Sequence, residues 1–349
     1  MLANRCRPGN AKSRTAGLHT QRLKEEFMSE PASPTGPATP PQLPARKKSN
    51  TGWIVGGAVA VVALIVAASL IFINVTAAKP VQAASVKPVV IKVGTSDASQ
   101  PYWDVLKKKA AAKGITLELV GFSDYQQPNP ALQQKQTDLN MFQHLRFLAQ
   151  YNVDTGNDLE PIASTIIVPL GLYSQKWKSV KNIPNGGTIA IPNDPANQAR
   201  ALFMLQSAKL LTLTGNKFAP TPADIDASKS KVKVITVDAA QTVLSLPSVD
   251  GSVINNNYLT DAKIDPHSAI FADDPKSPGA QPYINLIVAR AADINNPKYL
   301  ELAQLYHDPE VLKAVVASSK GTGVVVTGYS GAQLRTMLKK IEAQVKSSK

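Results

Sequence analysis

The sequence predicts an α/β protein of two lobes with a cleft between them, and three observations carry that prediction. Strand-like and helix-like segments alternate in two successive units, residues 88–168 and 169–279. Later segments, to about residue 330, return the chain to complete the first unit, and the roughly 240 residues involved can bury ample core in two lobes. Between two strand ends of the first unit lies residues 121–144 (GFSDYQQPNPALQQKQTDLNMFQH). That stretch is too polar for an ordinary core element, yet it carries Phe122, Tyr125, Met141 and Phe142.

The segments before residue 88 belong to neither lobe. The 349-residue chain has a net charge of +13, and Arg5, Arg7, Lys12, Arg14, Arg22, Lys24, Arg46, Lys47 and Lys48 supply much of the excess. The basic balance is thus a property of the tail and is no argument for nucleic-acid binding. Residues 1–50, with the proline-rich run 30–46 (EPASPTGPATPPQLPAR), read as a disordered cytoplasmic tail. Residues 53–75 (WIVGGAVAVVALIVAASLIFINV) carry no charge over a span above the roughly 20 residues that cross a bilayer, which predicts a single transmembrane helix over 51–76. Arg46, Lys47 and Lys48 before it put the tail inside and the rest of the chain outside the cell membrane. The run is longer than the about 7–15 residues of a signal-peptide core, which favours a retained anchor. The small residues at Val75-Thr76-Ala77 and Gln82-Ala83-Ala84 keep cleavage open as the alternative. The one cysteine, Cys6, precedes the apolar run, so no disulfide framework and no lipid-attachment cysteine after that run is expected. Met28 is a second plausible start, and 77–87 reads as a linker.

In the exported part, 88–93 (PVVIKV) reads as a buried strand ending in the polar loop Gly94-Thr95-Ser96-Asp97. Residues 101–113 follow as a helix with Trp103, Leu106 and Ala110 at helical spacing, stopped at Gly114. A strand over 116–122 delivers Ser123, Asp124 and Tyr125 to a rim. Asn129-Pro130 starts a short helix, and 139–144 reads as a second strand ending in a polar tip. A helix over 145–151 and a strand over 160–168 complete the first unit. The second has strands at 170–173, 187–191, 232–237 and 251–255. Its long helix starts at Asp194, a good N-cap, with Pro195 in the first turn. Short helices are expected at 223–227 and 239–246. A strand over 283–289, helices at 298–306 and 309–317, and a basic C-terminal helix within 331–349 close the chain.

Catalytic patterns are weak. His144, His267 and His307 lie in separate elements, and no HExxH, CxxC, GxSxG or clustered carboxylates occur, so neither an enzyme, a metal site nor a cofactor is expected. Recognition residues are plentiful instead. The two strand ends bring Tyr125, Phe142 and His144 to one sheet edge, where ligands sit in open α/β sheets. Arg200 lies within reach of the mouth of its helix, where backbone N–H groups and the dipole favour a carboxylate. Position alone leaves open a surface arginine paired with Asp194 or with solvent. Asn255 and Asn257 end a strand and Asn285 sits between Ile284 and Leu286; such amides can accept from an ammonium and donate to a carboxylate. Tyr125, Phe142 and Phe147 offer apolar faces to a thioether or another uncharged side chain, though such aromatics also suit a core.

Taken in order, FSDYxxPNPAL, LNxFQHxxFL, IPNDPxNQARAL, INNNYL and PYINLIVAR resemble the methionine-binding substrate-binding lipoproteins of ABC importers, the NlpA type. The resemblance runs from about Val89 to about Val326. It implies a two-lobed type II periplasmic-binding-protein fold with a hinge, capture of methionine or a related amino acid, and delivery to an ABC permease with its ATPase. By motif it makes Tyr125, Phe142, His144, Arg200, Asn255 and Asn285 site residues, with Arg200 on the carboxylate. Two departures matter. Phe147 stands where many members have tyrosine, and no lipobox cysteine follows the apolar segment, as though a transmembrane helix replaced the lipid anchor. The basic tail motivates one alternative, a membrane-tethered amino-acid sensor that signals by cleft closure.

Overall fold

The computed structural model describes residues 88–349. The predicted tail, transmembrane segment and linker, with Cys6, lie outside the described residues. Among the described residues no helix is long and apolar enough to cross a membrane.

The first lobe opens with β1 (Val89–Thr95), α1 (Tyr102–Ala111) and β2 (Ile115–Gly121), a unit in which β1 and β2 pair in parallel and the helix makes the crossover. Helix α1 buries Tyr102, Trp103, Leu106 and Ala110 on one stripe, and the chain leaves it through Gly114, whose φ of +69° suits glycine. Then come α2 (Pro128–Gln133), β3 (Leu139–Asn140), α3 (Leu145–Thr155) and β4 (Glu160–Ser164). The strand expected over 139–144 lasts only two residues. Beyond it the polar side chains take over: Asn140 Nδ2 donates to Pro128 O at 2.8 Å, and Asn129 and Gln143 exchange two amide bonds at 2.6 and 2.7 Å. These amides are buried and paired with one another, which is how so polar a stretch can sit inside the lobe.

The strand expected over 160–168 divides at Thr165. Residues up to Ser164 stay in the first sheet, whereas β5 (Ile166–Ile167) leaves it. The second lobe contains β6 (Gly171–Tyr173), β7 (Gly187–Pro192), α4 (Pro195–Ser207), β8 (Val232–Val237), α5 (Thr242–Ser245), β9 (Gly251–Ile254), α6 (Asn257–Asp261) and β10 (Phe271–Ala272). The helix expected at 223–227 is a 3₁₀ turn over Pro222–Asp224. The chain returns through a 3₁₀ segment, Pro278–Tyr283, in place of the first residues of the strand expected over 283–289. It then forms β11 (Leu286–Ala289), α7 (Pro297–Tyr306), α8 (Pro309–Ser318), β12 (Val324–Val325) and α9 (Gly331–Ser347).

Two five-stranded sheets result, β2-β1-β3-β11-β4 and β10-β6-β9-β7-β8, with the ribbon β5–β12 as a third, two-stranded element. In the first sheet β11 runs antiparallel between β3 and β4; in the second β6 runs antiparallel to β9. Helix α9 lays Leu334, Leu338, Ile341 and Val345 against the first lobe, each contributing about 1.5–3 kcal/mol by burial, an upper estimate. Its start is closed by a capping box of Ser330 and Gln333.

Candidate ligand-binding site

A cavity of about 120 Å³ is lined from both lobes. It gathers residues just past the carboxyl ends of β1, β2, β3, β7 and β9, the edge at which open α/β sheets bind ligands. Tyr125, Phe142, His144, Phe147, Arg200, Asn255, Asn257 and Asn285, the eight residues singled out in the sequence, all line it.

One wall is aromatic. The rings of Tyr125, Phe142 and Phe147 form a triangle with centroids 6.1, 5.9 and 5.7 Å apart, and Tyr258 lies 5.3 Å from Tyr125. These residues cluster with Ala196 and Ala239, apart from the main core of either lobe. The Tyr125 hydroxyl donates across to Asn257 Oδ1, and burial pushes it well above its ordinary pKa, so it stays protonated.

His144 caps α3. Its Nδ1 accepts the Phe147 N–H at 3.1 Å, so the proton of the neutral ring sits on Nε2, which faces Asn197 Oδ1 at 3.4 Å. Burial and then the positive charge of Arg200 push its pKa down to about 3. The ring is therefore neutral at physiological pH.

Arg200 departs from expectation. Its fork is already engaged: Nε donates to Asp273 Oδ2 at 2.7 Å, and Nη2 to Asp273 Oδ1 at 3.1 Å and Val168 O at 2.9 Å. The guanidinium stacks 4.2 Å over the Tyr283 ring. Only Nη1 makes no hydrogen bond among the described residues. The carboxylate partner is Asp273, not Asp194. The helix mouth is not free for a ligand anion either. Pro195 has no N–H, and the Asn197 N–H goes to the Asp194 carboxylate at 2.9 Å. Asp194 is buried, and that burial raises its pKa to about 6 against the lowering effect of the Asn197 bonds.

The asparagines are partly unsatisfied. Asn255 Nδ2 donates to Asn197 Oδ1 at 2.9 Å, leaving Asn255 Oδ1 buried without a partner; Asn257 Nδ2 and the Tyr258 hydroxyl are buried without one as well. Asn285 Nδ2 donates to Ile166 O at 3.0 Å. Asp97, the carboxylate on the wall, is held by Thr95 Oγ1, Tyr102 OH and Trp103 Nε1, while burial raises its pKa. No group of His, Cys, Asp and Glu side chains suited to a metal occurs among the described residues.

Sequence reasoning missed Asn197, Tyr258, Tyr283 and Asp273. Asn197 had a local signal, since it lies one helical turn before Arg200 on the same face. Asp273 had none, because its pairing with Arg200 spans 73 residues of chain.

A profile of the NlpA lipoprotein family matches residues 91–327. The chain belongs to the NlpA lipoprotein family. Among the relatives of this NlpA-family chain, Lipoprotein 28 of Escherichia coli (strain K12) is 39% identical over 240 residues, covering 67% of this chain and 87% of that protein. The D-methionine-binding lipoprotein MetQ of the same strain is 35% identical over 245 residues, covering 68% and 88%. The crystal structure of the substrate binding protein of a methionine transporter from Streptococcus pneumoniae superposes with a TM-score of 0.63 at 37% identity. That match covers 68% of this chain and 95% of the pneumococcal one. The fold is accordingly that of a two-lobed, mixed α/β substrate-binding protein, and the family is one of transporter binding proteins, not enzymes.

Proposed function

We propose that the protein captures methionine, or a close amino-acid analogue, in the cavity between its lobes and delivers it to the permease and ATPase of an ABC importer. The observation that carries this reading is the cavity's own inventory: one free guanidinium nitrogen, an unpartnered buried amide oxygen and an apolar aromatic wall. Those three features suit the carboxylate, the ammonium and the uncharged side chain of one amino acid. Arg200 Nη1 takes the carboxylate, Asn255 with Asn257 and Asn285 serves the backbone polar groups, and Tyr125, Phe142 and Phe147 enclose the side chain. His144, held neutral, adds no charge against the ammonium. The names of the relatives support methionine as that ligand.

The apolar run 53–75 serves, in this reading, as a single-pass anchor that keeps the binding domain on the outer face of the cell membrane. Calorimetric titration of the exported part with a panel of amino acids tests the ligand. Tight binding of methionine is expected, and binding of none of the panel refutes the reading.

A further inference from the structure

The orientation of a buried amide is set by its neighbours, and in this cavity the setting can be traced from its source. A carboxylate only accepts hydrogen bonds. Asp194 receives both the backbone N–H of Asn197, at 2.9 Å, and its side-chain Nδ2, which lies 3.1 Å from each carboxylate oxygen. Asn197 Oδ1 must therefore face the other way, and there it meets two donors, His144 Nε2 at 3.4 Å and Asn255 Nδ2 at 2.9 Å. His144 enforces the same polarity from the opposite side, because its Nδ1 is committed to the Phe147 N–H. With its Nδ2 used in this way, Asn255 is left with Oδ1 buried and unpartnered.

We propose that Asp194 is a positioning residue: through Asn197 its carboxylate fixes the Asn255 amide so that Oδ1 is presented as the acceptor for the ammonium group of a free amino acid. Asp194 does not line the cavity itself; it is buried at the N-cap of α4. The inference rests on the amino-acid reading above and adds what makes that site prefer an ammonium to an uncharged group. Neither carboxylate near the cavity competes for the task. Asp97 is occupied by Thr95, Tyr102 and Trp103, and Asp273 by Arg200 and the Leu170 N–H.

The test compares methionine with its deamino analogue, 4-(methylthio)butanoate, by calorimetry on the full-length protein. Asp194→Asn keeps a good N-cap residue and removes the obligate acceptor. It is expected to weaken methionine roughly ten- to a hundredfold, the worth of one hydrogen bond to a charged group, with the deamino analogue little changed. Asn255→Ala should lose the same preference, and the double variant should lose no more of it than Asn255→Ala alone. Equal weakening of both ligands, unchanged methionine binding, or losses that multiply in the double variant would each overturn the proposal. Asp194→Ser, another good cap without a carboxylate, replaces the asparagine variant should that one not fold. If the wild type binds another amino acid and not methionine, the methionine reading fails and the same comparison runs on that amino acid and its deamino form. If it binds no free amino acid, both fail.

Discussion

Removing the Arg200 guanidinium should affect ligand and fold by different amounts, and the two can be separated. The side chain is 5% exposed and makes two bonds to Asp273 and one to Val168 O. Arg200→Ala leaves Asp273 with the Leu170 N–H alone, at 2.8 Å. Breaking a buried pair from one side costs about 3–5 kcal/mol. Asp273 is 25% exposed, so water compensates in part, and the loss of stability should lie near the lower end of that range. Under the proposed reading the ligand loses one charge-assisted bond from Nη1, about 1.5–3 kcal/mol, or roughly a 10–150-fold rise in Kd. Calorimetry with methionine and methionine amide, alongside thermal unfolding, measures both effects. The amide has no carboxylate, so it should bind the wild type weakly and respond little to the substitution. Arg200→Lys should restore only part, since one ammonium cannot serve both Asp273 and the ligand in the geometry of the planar fork. A folded alanine variant that binds methionine like the wild type, or an amide that loses as much as methionine, refutes the role given to Arg200.

Phe142→Ala should weaken methionine by about 1–3 kcal/mol through lost apolar contact; unchanged affinity in a folded variant would return this ring to a packing role. Acid stability carries a signature of two groups. Between about pH 6.5 and 3 the unfolded chain protonates residue 144 and the folded chain does not, so acidification costs stability there. Asp194 has the opposite sign from about pH 6 to 4, because the folded state keeps a proton that the unfolded carboxylate releases. Asp194→Asn removes that offset, and its unfolding midpoint should fall more steeply from pH 6 to 4 than that of the wild type; a parallel profile contradicts the assignment. The apolar run 53–75 predicts a protein that stays with the membrane at full length, and a soluble form beginning near Lys79 or Ser85 in intact cells would count against it. Protease added outside such cells should digest the lobes and spare the tail.

Elements with local signals were readable. The alternation of 232–237, the Asp194 cap with Pro195 behind it, and the 3.6-residue stripe of α9 each depend on residues close in sequence. Where the expectations departed, long-range pairing decided. Nothing near Thr165 announces that the chain changes sheets there; β5 forms because β12 arrives from more than 150 residues later. The strand expected to 144 is regular only to Asn140; the chain pairs again at His144, which bridges Asn285, while the side-chain amides of Asn129, Asn140 and Gln143 satisfy one another between the two points.

The same division holds within the site, and it bears on which ligands the cavity can admit. Residue types such as Arg200, Asn255 and the aromatic triangle were legible, but whether Arg200 is a free cation depends on Asp273, and which atom Asn255 presents depends on Asp194 through Asn197. Among the described residues, Asp97 and Arg200 are the only Asp, Glu, Lys or Arg side chains on the wall, and each is already held by protein groups. A ligand with a charged side chain would thus bring that charge against Tyr125, Phe142 and Phe147 with no counter-charge to meet it, at a cost of several kcal/mol. An amino acid whose side chain is apolar brings only a carboxylate and an ammonium, and those can be met by the atoms left over, the Nη1 of Arg200 and the Oδ1 of Asn255. Under the proposed reading, the internal pairing of the site's own charges is what excludes lysine, arginine, aspartate and glutamate while leaving room for methionine.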